Sequence, residues 1–324
     1  MKLRGADATA SSRLFPWLLV GVGLVAVLPL AANPYHLTVA VNLCITLILT
    51  LSLNFVVGNS GQFHLSHVAF FGTGAYVSAI LAKQCHVSPW LCLPCAVFAV
   101  AILAALIGLP VTRLKGLYLA VATLAFSFFV EVLVNQGGAL TGGGYGIQDI
   151  PPATIFAARL SAKSFYLVAL GAVVMTIVII NNLLHSKFGR EIVASRDHPN
   201  AAAAAGINPA ATKLLVLVIA ASFAALAGWL HTFYYLTLNP ILLSPELTFV
   251  WFFMVLVGGL GSMTGVVLGT MLLTLVPEFL GFAAGQTVLV IGILLIAVTL
   301  FAPRGLAGLL SDLAKLAFAG HADR

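Results

Sequence analysis

Two sets of polar residues recur at every fourth position within otherwise apolar stretches of the sequence. The first set is Asn42, Thr46, Thr50 and Asn54, and the second set is Thr123, Ser127, Glu131 and Asn135. Residues four apart lie on one face of a helix, so each set predicts a helix with a polar ribbon. Such ribbons either bond neighbouring helices in a membrane or line a path for a polar solute. For the amides and hydroxyls both interpretations stay open.

Glu131 differs from the other ribbon residues because its side chain is ionisable. An ionisable group inside a membrane-spanning segment is costly and by default indicates function. Glu131 also lies near the end of its apolar segment, where its carboxylate could reach water. We therefore keep it as a candidate pathway residue, with a solvated surface acid as the alternative.

The other chemically capable residues favour neither a catalytic site nor a metal site. His64, His67 and His231 belong to no HExxH motif and have no acidic cluster beside them, so we expect packing or hydrogen-bonding roles. The sequence contains no G-x-x-x-x-G-K-[ST] motif, which a P-loop needs to hold ATP phosphates. The sequence therefore predicts a non-enzymatic chain that binds no metal and no cofactor.

The four cysteines are Cys44, Cys85, Cys92 and Cys95. The last two have CxxC spacing but begin an apolar stretch without a second metal-binding pair, so we expect them to pack as small apolar side chains. A disulfide from Cys85 to Cys92 or Cys95 stays open, because this end is predicted to face the oxidising side of a membrane.

The composition indicates that these residues lie in a membrane bundle. Hydrophobic residues make up 61% of the 324 and charged residues only 7%, with a mean hydropathy of +1.11, whereas a soluble domain carries about 25% charge. The fold class is therefore an all-α, polytopic transmembrane helical bundle with eight to ten spans. Ten apolar stretches approach the ~20 residues that cross a bilayer: 14–32, 37–57, 65–82, 90–110, 116–135, 164–184, 213–237, 247–259, 264–280 and 286–302.

Two of these stretches allow a second interpretation. The stretch 14–32 resembles a secretory signal peptide, but its length and the similar stretches after it favour retention as a first span. The stretch 247–259 is short enough to be part of a broken helix.

The basic residues predict the orientation of the bundle. With the N-terminus inside, twelve Lys and Arg residues fall on the inner side and three on the outer side, which predicts that both termini are cytoplasmic. Residues 1–13 and 303–324 would be cytoplasmic tails around a membrane domain of 14–302. The formal net charge of +6 then reflects topology rather than nucleic-acid binding.

Two connecting segments are long, an outer one over 136–163 with a glycine-rich run and an inner one over 185–212. In the inner segment, Pro199 suits a first helical position, Ala201–Ala205 favour a helix, and Gly206 favours its end. Asn208 is then suited to cap the next helix. An alanine face has little bulk and suits docking into a groove of another protein; a plain connector is the alternative.

Small residues predict close helix packing elsewhere. Gly261, Gly265 and Gly269 recur at every fourth position, which lets two membrane helices approach closely. Such spacing carries no information about a solute.

Six segments, in order over about 40–280, resemble one family, the LivM-type permeases of branched-chain amino acid ABC importers. Each segment is weak alone, but the ordered set is specific. They are Leu53–Gly58 through Gly61-Gln62 to Gly72–Tyr76, Arg113–Tyr118, Leu140–Ile147, Lys187–Arg190, Arg196–Asn208, and Val257–Ser262 with Gly265.

The resemblance implies a complex in the bacterial inner membrane. Its other parts would be a homologous second permease, two ATPase subunits that bind the ATP, and a periplasmic solute-binding protein near the outer glycine-rich loop. The coupling segment 190–208 would dock on the ATPase. Its expected contact residues are Arg190, Glu191, Arg196, Asp197, Ala203 and Gly206.

Three positions depart from the family pattern. Family members often have Glu and Arg where this chain has Phe128 and Glu131, and Glu where it has Ala203. The first exchange reverses a charge on the polar ribbon, so urea or an amide is an alternative cargo to an aliphatic amino acid. A stand-alone secondary transporter or channel is the alternative from another class.

Overall fold

The computed structural model describes residues 34–280 apart from 113, 115, 156 and 157, together with 292, 293, 296, 300 and 305–308. Within this part of the chain the fold is helical apart from one pair of two-residue strands. The helices are α1 Pro34–Asn54, α2 His67–Lys83, α3 Pro89–Val111, α4 Leu117–Gln136, α5 Gly138–Thr141, α6 Ala162–His185, α7 Lys187–Asp197, α8 Pro199–Ala204, α9 Pro209–Tyr235, α10 Pro245–Gly258 and α11 Met263–Leu280. A π-helical turn Phe55–Asn59 extends α1, 3-10 turns cover Gly143–Tyr145 and Pro240–Leu243, and β1 Thr154–Ile155 pairs with β2 Ala158–Arg159.

The predicted helical membrane bundle is confirmed, while the count of ten crossings stays a prediction. Five described helices are long and apolar enough to span a bilayer: Pro34–Asn59, Pro89–Val111, Leu117–Gln136, Ala162–His185 and Pro209–Tyr235. The eighth predicted stretch forms α10, whose 14 residues extend roughly 21 Å and fall short of a ~30 Å core. The predicted first span lies outside the described residues, and the tenth lies largely outside them.

Helix α9 occupies the centre of the bundle. It packs on α2 and α3 along one side and on α1 along another, and α1 in turn packs on α6 and α11. Small residues allow this closeness, because a Cβ added at Gly74 of α2 would lie 2.6 Å from the Ala225 Cα of α9. Large buried side chains such as Trp229 fill the remaining space.

Helices α10 and α11 form a hairpin, and glycines determine how closely they pack. A Cβ at Gly265 would collide with the Gly258 carbonyl, and a Cβ at Gly269 would lie 2.6 Å from the Gly258 nitrogen. The predicted packing role is therefore confirmed for Gly265 and Gly269. It is wrong for Gly261, which lies in the turn before α11 with φ of +81° and serves the turn geometry that L-residues rarely adopt.

The backbone between α1 and α2 is non-helical at residues 61–66, and α4 holds it in place. The Thr123 hydroxyl accepts a hydrogen bond from the Leu65 N–H at 3.0 Å, and the Ser127 hydroxyl donates one to the Leu65 carbonyl at 3.1 Å. All three residues are buried. Non-helical backbone inside a membrane protein needs such internal partners, since lipid offers none.

We expect Ser127→Ala to lower the free energy of unfolding by about 1 kcal/mol, because it leaves the buried Leu65 carbonyl without this donor. Thermal denaturation of the purified protein in detergent measures the change. Ser222→Ala is the matched control, since the Ser222 hydroxyl donates only within its own helix, to the Val218 carbonyl. Equal melting temperatures of the two variants would contradict a role for Ser127 in holding the segment 61–66.

Candidate solute cavity and inner docking surface

A cavity of about 490 Å³ lies among α1, α9, α10 and α11. Its wall combines a few polar groups with a large aliphatic surface, which is the usual make-up of small-molecule sites. The lining residues are Asn42, Ile45, Thr46, Leu49, Phe71, His231, Leu242, Leu247, Val250, Trp251, Met254, Leu273, Thr274, Pro277 and Glu278.

The first polar ribbon divides into two halves with different surroundings. Asn42 and Thr46 line the cavity. One turn further, the buried Thr50 hydroxyl accepts a hydrogen bond from Thr270 of α11 at 2.8 Å. The buried Asn54 side-chain oxygen accepts one from the Gly261 N–H at 2.8 Å. The inner half of the ribbon therefore joins helices, as one of the two open interpretations proposed.

The second ribbon does not line this cavity. Thr123 and Ser127 bond the backbone at Leu65 instead. Glu131 is partly buried, and its carbonyl accepts a hydrogen bond from the exposed Asn135 side chain at 3.0 Å. The structure therefore brings only Asn42 and Thr46 of the eight predicted pathway residues to the cavity wall.

Three polar residues of the cavity wall were missed by the sequence reasoning: His231, Thr274 and Glu278. His231 was assigned to packing because it stands alone in its segment. Glu278 lies two residues before the last residue of the predicted span 264–280. Thr274 lies one helical turn before Glu278. The four-residue spacing of Thr274 and Glu278 was the available signal, since it places both on one face of α11.

The inner connecting segment folds into two helices rather than one. The predicted short helix is α8, which begins at Pro199. After it, Gly206 adopts φ of +83° and the Ile207 N–H bonds the Ala202 carbonyl at 3.0 Å, a Schellman-type end. The Asn208 side chain caps α9 by accepting from Ala210 and Ala211. Helix α7 was missed, although Phe188 and Ile192, four apart, give it an apolar face.

Three of the six predicted contact residues, Arg190, Glu191 and Gly206, line a hollow of this segment. A depression of about 550 Å³ is lined by Lys187, Arg190, Glu191, Ala194, Ala205, Gly206, Ile207 and Asn208. Lys187 pairs with Glu191 at 3.9 Å. On α8 the Ala203 side chain is exposed, whereas Ala202 is buried against the rest of the chain. An exposed helix with small side chains can lie in a groove of a partner protein.

Arg196 reaches inward from α7 to the end of α1. Its Nη1 donates to the Gly58 carbonyl at 2.9 Å, and its Nε donates to the Asp197 carboxylate at 3.1 Å. The aliphatic stem lies under Gly61, where an added Cβ would be 2.8 Å from Arg196 Cγ. Gly58 in turn contacts the Gly261 turn that Asn54 holds. These contacts join the inner segment to α1 and to the α10–α11 hairpin.

The outer glycine-rich run supports backbone packing. The Ile147 N–H donates to the Leu238 carbonyl at 3.0 Å, and the Leu238 N–H donates back at 2.7 Å. A Cβ at Gly146, whose φ is +71°, would collide with that Leu238 carbonyl. The run therefore fastens the outer connection to the segment after α9.

Neither a metal cluster nor a disulfide is formed in the described part of the chain. Among the described residues no group of three or more His, Cys, Asp or Glu is arranged to hold a metal ion. The four cysteines are free thiols, with Cys44 and Cys92 buried and Cys85 and Cys95 exposed.

A multi-pass helical bundle with a cavity that combines apolar and polar side chains is the architecture expected of a membrane transport subunit. The family described as branched-chain amino acid transport system / permease component matches residues 35–299, and this chain belongs to it.

Curated relatives agree with that membership. The chain is 32% identical to the high-affinity branched-chain amino acid transport system permease protein LivM of Salmonella typhimurium, over 92% of this chain and 76% of the relative. It is 34% identical to the protein of that name from Escherichia coli, over 87% and 74%. A probable branched-chain amino acid transport permease protein LivM of Methanocaldococcus jannaschii is 29% identical over 55% of this chain and 52% of that protein. No solved structure matches the chain.

Proposed function

We propose that this chain is the membrane-spanning permease subunit of an ABC importer for branched-chain amino acids. The observation that carries the proposal is the family match over residues 35–299. The complete importer would add a homologous second permease, two ATPase subunits that bind the ATP, and a periplasmic solute-binding protein. Its place would be the bacterial inner membrane.

The cavity wall supports an aliphatic cargo over urea or a small amide. Ile45, Leu49, Leu247, Met254 and Leu273 provide an apolar surface of the kind that a branched side chain buries favourably. Urea has no apolar group to place there. The polar groups of the same wall supply partners for the charged end of an amino acid.

The contacts of Arg196 support a route by which an ATPase would move the cavity. In this proposal the ATPase displaces α7 and α8, and Arg196 transmits the movement to Gly58 at the end of α1. The Asn54 bond to Gly261 then passes it to the α10–α11 hairpin. Because α1, α10 and α11 all line the cavity, their movement would change its access.

Uptake of radiolabelled leucine by cells that carry or lack this chain tests the proposed function. We expect uptake to require the chain and to stop when cellular ATP is depleted, because the energy comes from partner ATPases. Dissipating the proton gradient while ATP is maintained should leave uptake intact. The opposite response, loss with the gradient and survival without ATP, would indicate a stand-alone secondary transporter.

Reporter fusions test the proposed orientation. We expect fusions after residue 195 and at residue 324 to report a cytoplasmic position, and a fusion near residue 150 to report an external one. Paired phosphatase and fluorescent-protein reporters at each site measure the side directly. A cytoplasmic signal at residue 150 would contradict the orientation.

A further inference from the structure

One end of the cavity carries a single carboxylate, that of Glu278. Glu278 lies near the end of α11, and its carboxylate accepts a hydrogen bond from the Tyr35 hydroxyl at the beginning of α1. Among the described lining residues it is the one acidic side chain, and none of them is Lys or Arg. A single negative charge in a mostly apolar wall attracts a cationic group and repels an anionic one.

Two further polar atoms face the same region without a partner. His231 Nδ1 and Thr274 Oγ1 are buried, and neither makes a hydrogen bond to any described residue. Both residues line the cavity. Buried polar atoms normally have partners, because leaving one unpaired costs about 1–3 kcal/mol. Ligand atoms inside the cavity would supply what these two groups lack.

The arrangement of these groups corresponds to the two charged ends of an amino acid. Thr274 and Glu278 are one turn apart on α11, so a hydroxyl donor lies next to a carboxylate acceptor along the wall. The zwitterion of an α-amino acid carries an ammonium group, which donates hydrogen bonds, and a carboxylate, which accepts them, and both are attached to one carbon atom. The aliphatic residues Leu49, Leu247 and Met254 remain for its side chain.

We propose that the cavity is a binding site for the zwitterionic head of an aliphatic α-amino acid. The Glu278 carboxylate accepts from the ammonium group, and the Thr274 hydroxyl and the protonated nitrogen of His231 donate to the carboxylate. This inference rests on the proposed function and adds to it the residues that recognise the cargo. It also predicts that analogues without the amino group are excluded, since their carboxylate would meet Glu278 uncompensated.

The test uses the whole importer in proteoliposomes with leucine-loaded binding protein. We expect Glu278→Gln to reduce leucine uptake about tenfold or more, because the ammonium loses a charge-assisted hydrogen bond. Glu278→Asp should retain most of the uptake. Glu246→Gln is the matched control, because Glu246 is an exposed acid in the first turn of α10 that does not line the cavity.

A second measurement separates recognition from a folding defect. Thr274→Val keeps the shape of the side chain but removes the hydroxyl, and we expect it to raise the leucine concentration needed for half-maximal uptake while complex yield stays at the wild-type level. Leucine uptake at the wild-type rate and affinity in both Glu278→Gln and Thr274→Val would overturn the inference and leave the proposed function intact. Absence of ATP-driven leucine uptake in the wild-type complex would instead overturn the proposed function.

Discussion

Replacing Ala203 with tryptophan should abolish ATP-driven uptake while the protein still inserts and folds. Ala203 is exposed on α8, so a larger ring can extend away from the described part of the chain. If α8 enters a groove of an ATPase subunit, an added indole prevents close contact, and interface packing tolerates such excess volume poorly. We expect loss of ATPase co-purification, or of hydrolysis stimulated by loaded binding protein.

Two further variants make the result specific to the docking surface. Ala162→Trp places the same bulk on an exposed alanine at the beginning of α6, the end of that helix farther from α7 in the chain. It should leave ATPase co-purification unchanged. Ala202→Trp should reduce folded yield instead, because Ala202 is buried within the chain. Wild-type co-purification and wild-type stimulated hydrolysis in Ala203→Trp would mean that the ATPase docks elsewhere.

The minimal substitution Gly258→Ala should destabilise the α10–α11 hairpin by about 1–3 kcal/mol. The added methyl would collide with the Gly265 carbonyl and would lie 2.6 Å from the Val266 Cα. Both contacts are with backbone, so no side-chain rotation relieves them and the helices must separate. Since α10 and α11 both line the cavity, we also expect transport to fall. Thermal denaturation in detergent measures the stability change.

Gly171→Ala on α6 is the matched control for Gly258→Ala. A Cβ at Gly171 would meet no atom within 4 Å, so the same methyl group adds no collision there. Alanine also favours a helix over glycine by about 0.5–1 kcal/mol, so stability should stay constant or rise. Similar losses of stability in both variants would contradict the close packing of the hairpin.

Local features of the fold followed well from the sequence. The long apolar stretches predicted the major helices, because length and hydropathy alone set which segments can cross a bilayer. The end of α8 at Gly206 and the cap of α9 at Asn208 depend on neighbouring residues only. The four-residue spacing of Gly265 and Gly269 predicted the close helix packing that the structure shows at both glycines.

The use of polar residues could not be predicted in the same way. Thr46 and Thr50 look alike in sequence, yet one lines the cavity and the other bonds Thr270, some 220 positions along the chain. Ser127 bonds the Leu65 carbonyl because the segment 61–66 leaves the helical path, which spacing does not reveal. Which partner a side chain meets depends on how distant helices pack, and periodicity describes each helix alone.

The cavity shows most clearly that contacts between distant helices cannot be predicted from periodicity. The polar residues of its wall include Asn42 of α1, His231 of α9 and Glu278 of α11, which are far apart in the sequence. Asn42 and Glu278 belong to four-residue spacings on their own helices, and His231 is an isolated polar residue in an apolar stretch. Their convergence is a property of the bundle.

Leucine accumulation by the purified importer in proteoliposomes tests the central claim most directly. The measurement compares vesicles with ATP or a non-hydrolysable analogue inside, with loaded binding protein outside and no ion gradient. We predict accumulation against a concentration gradient only with hydrolysable ATP, and its loss when this chain is omitted. Accumulation that is independent of ATP hydrolysis, or that persists without this chain, would contradict the assignment of the chain as the permease subunit.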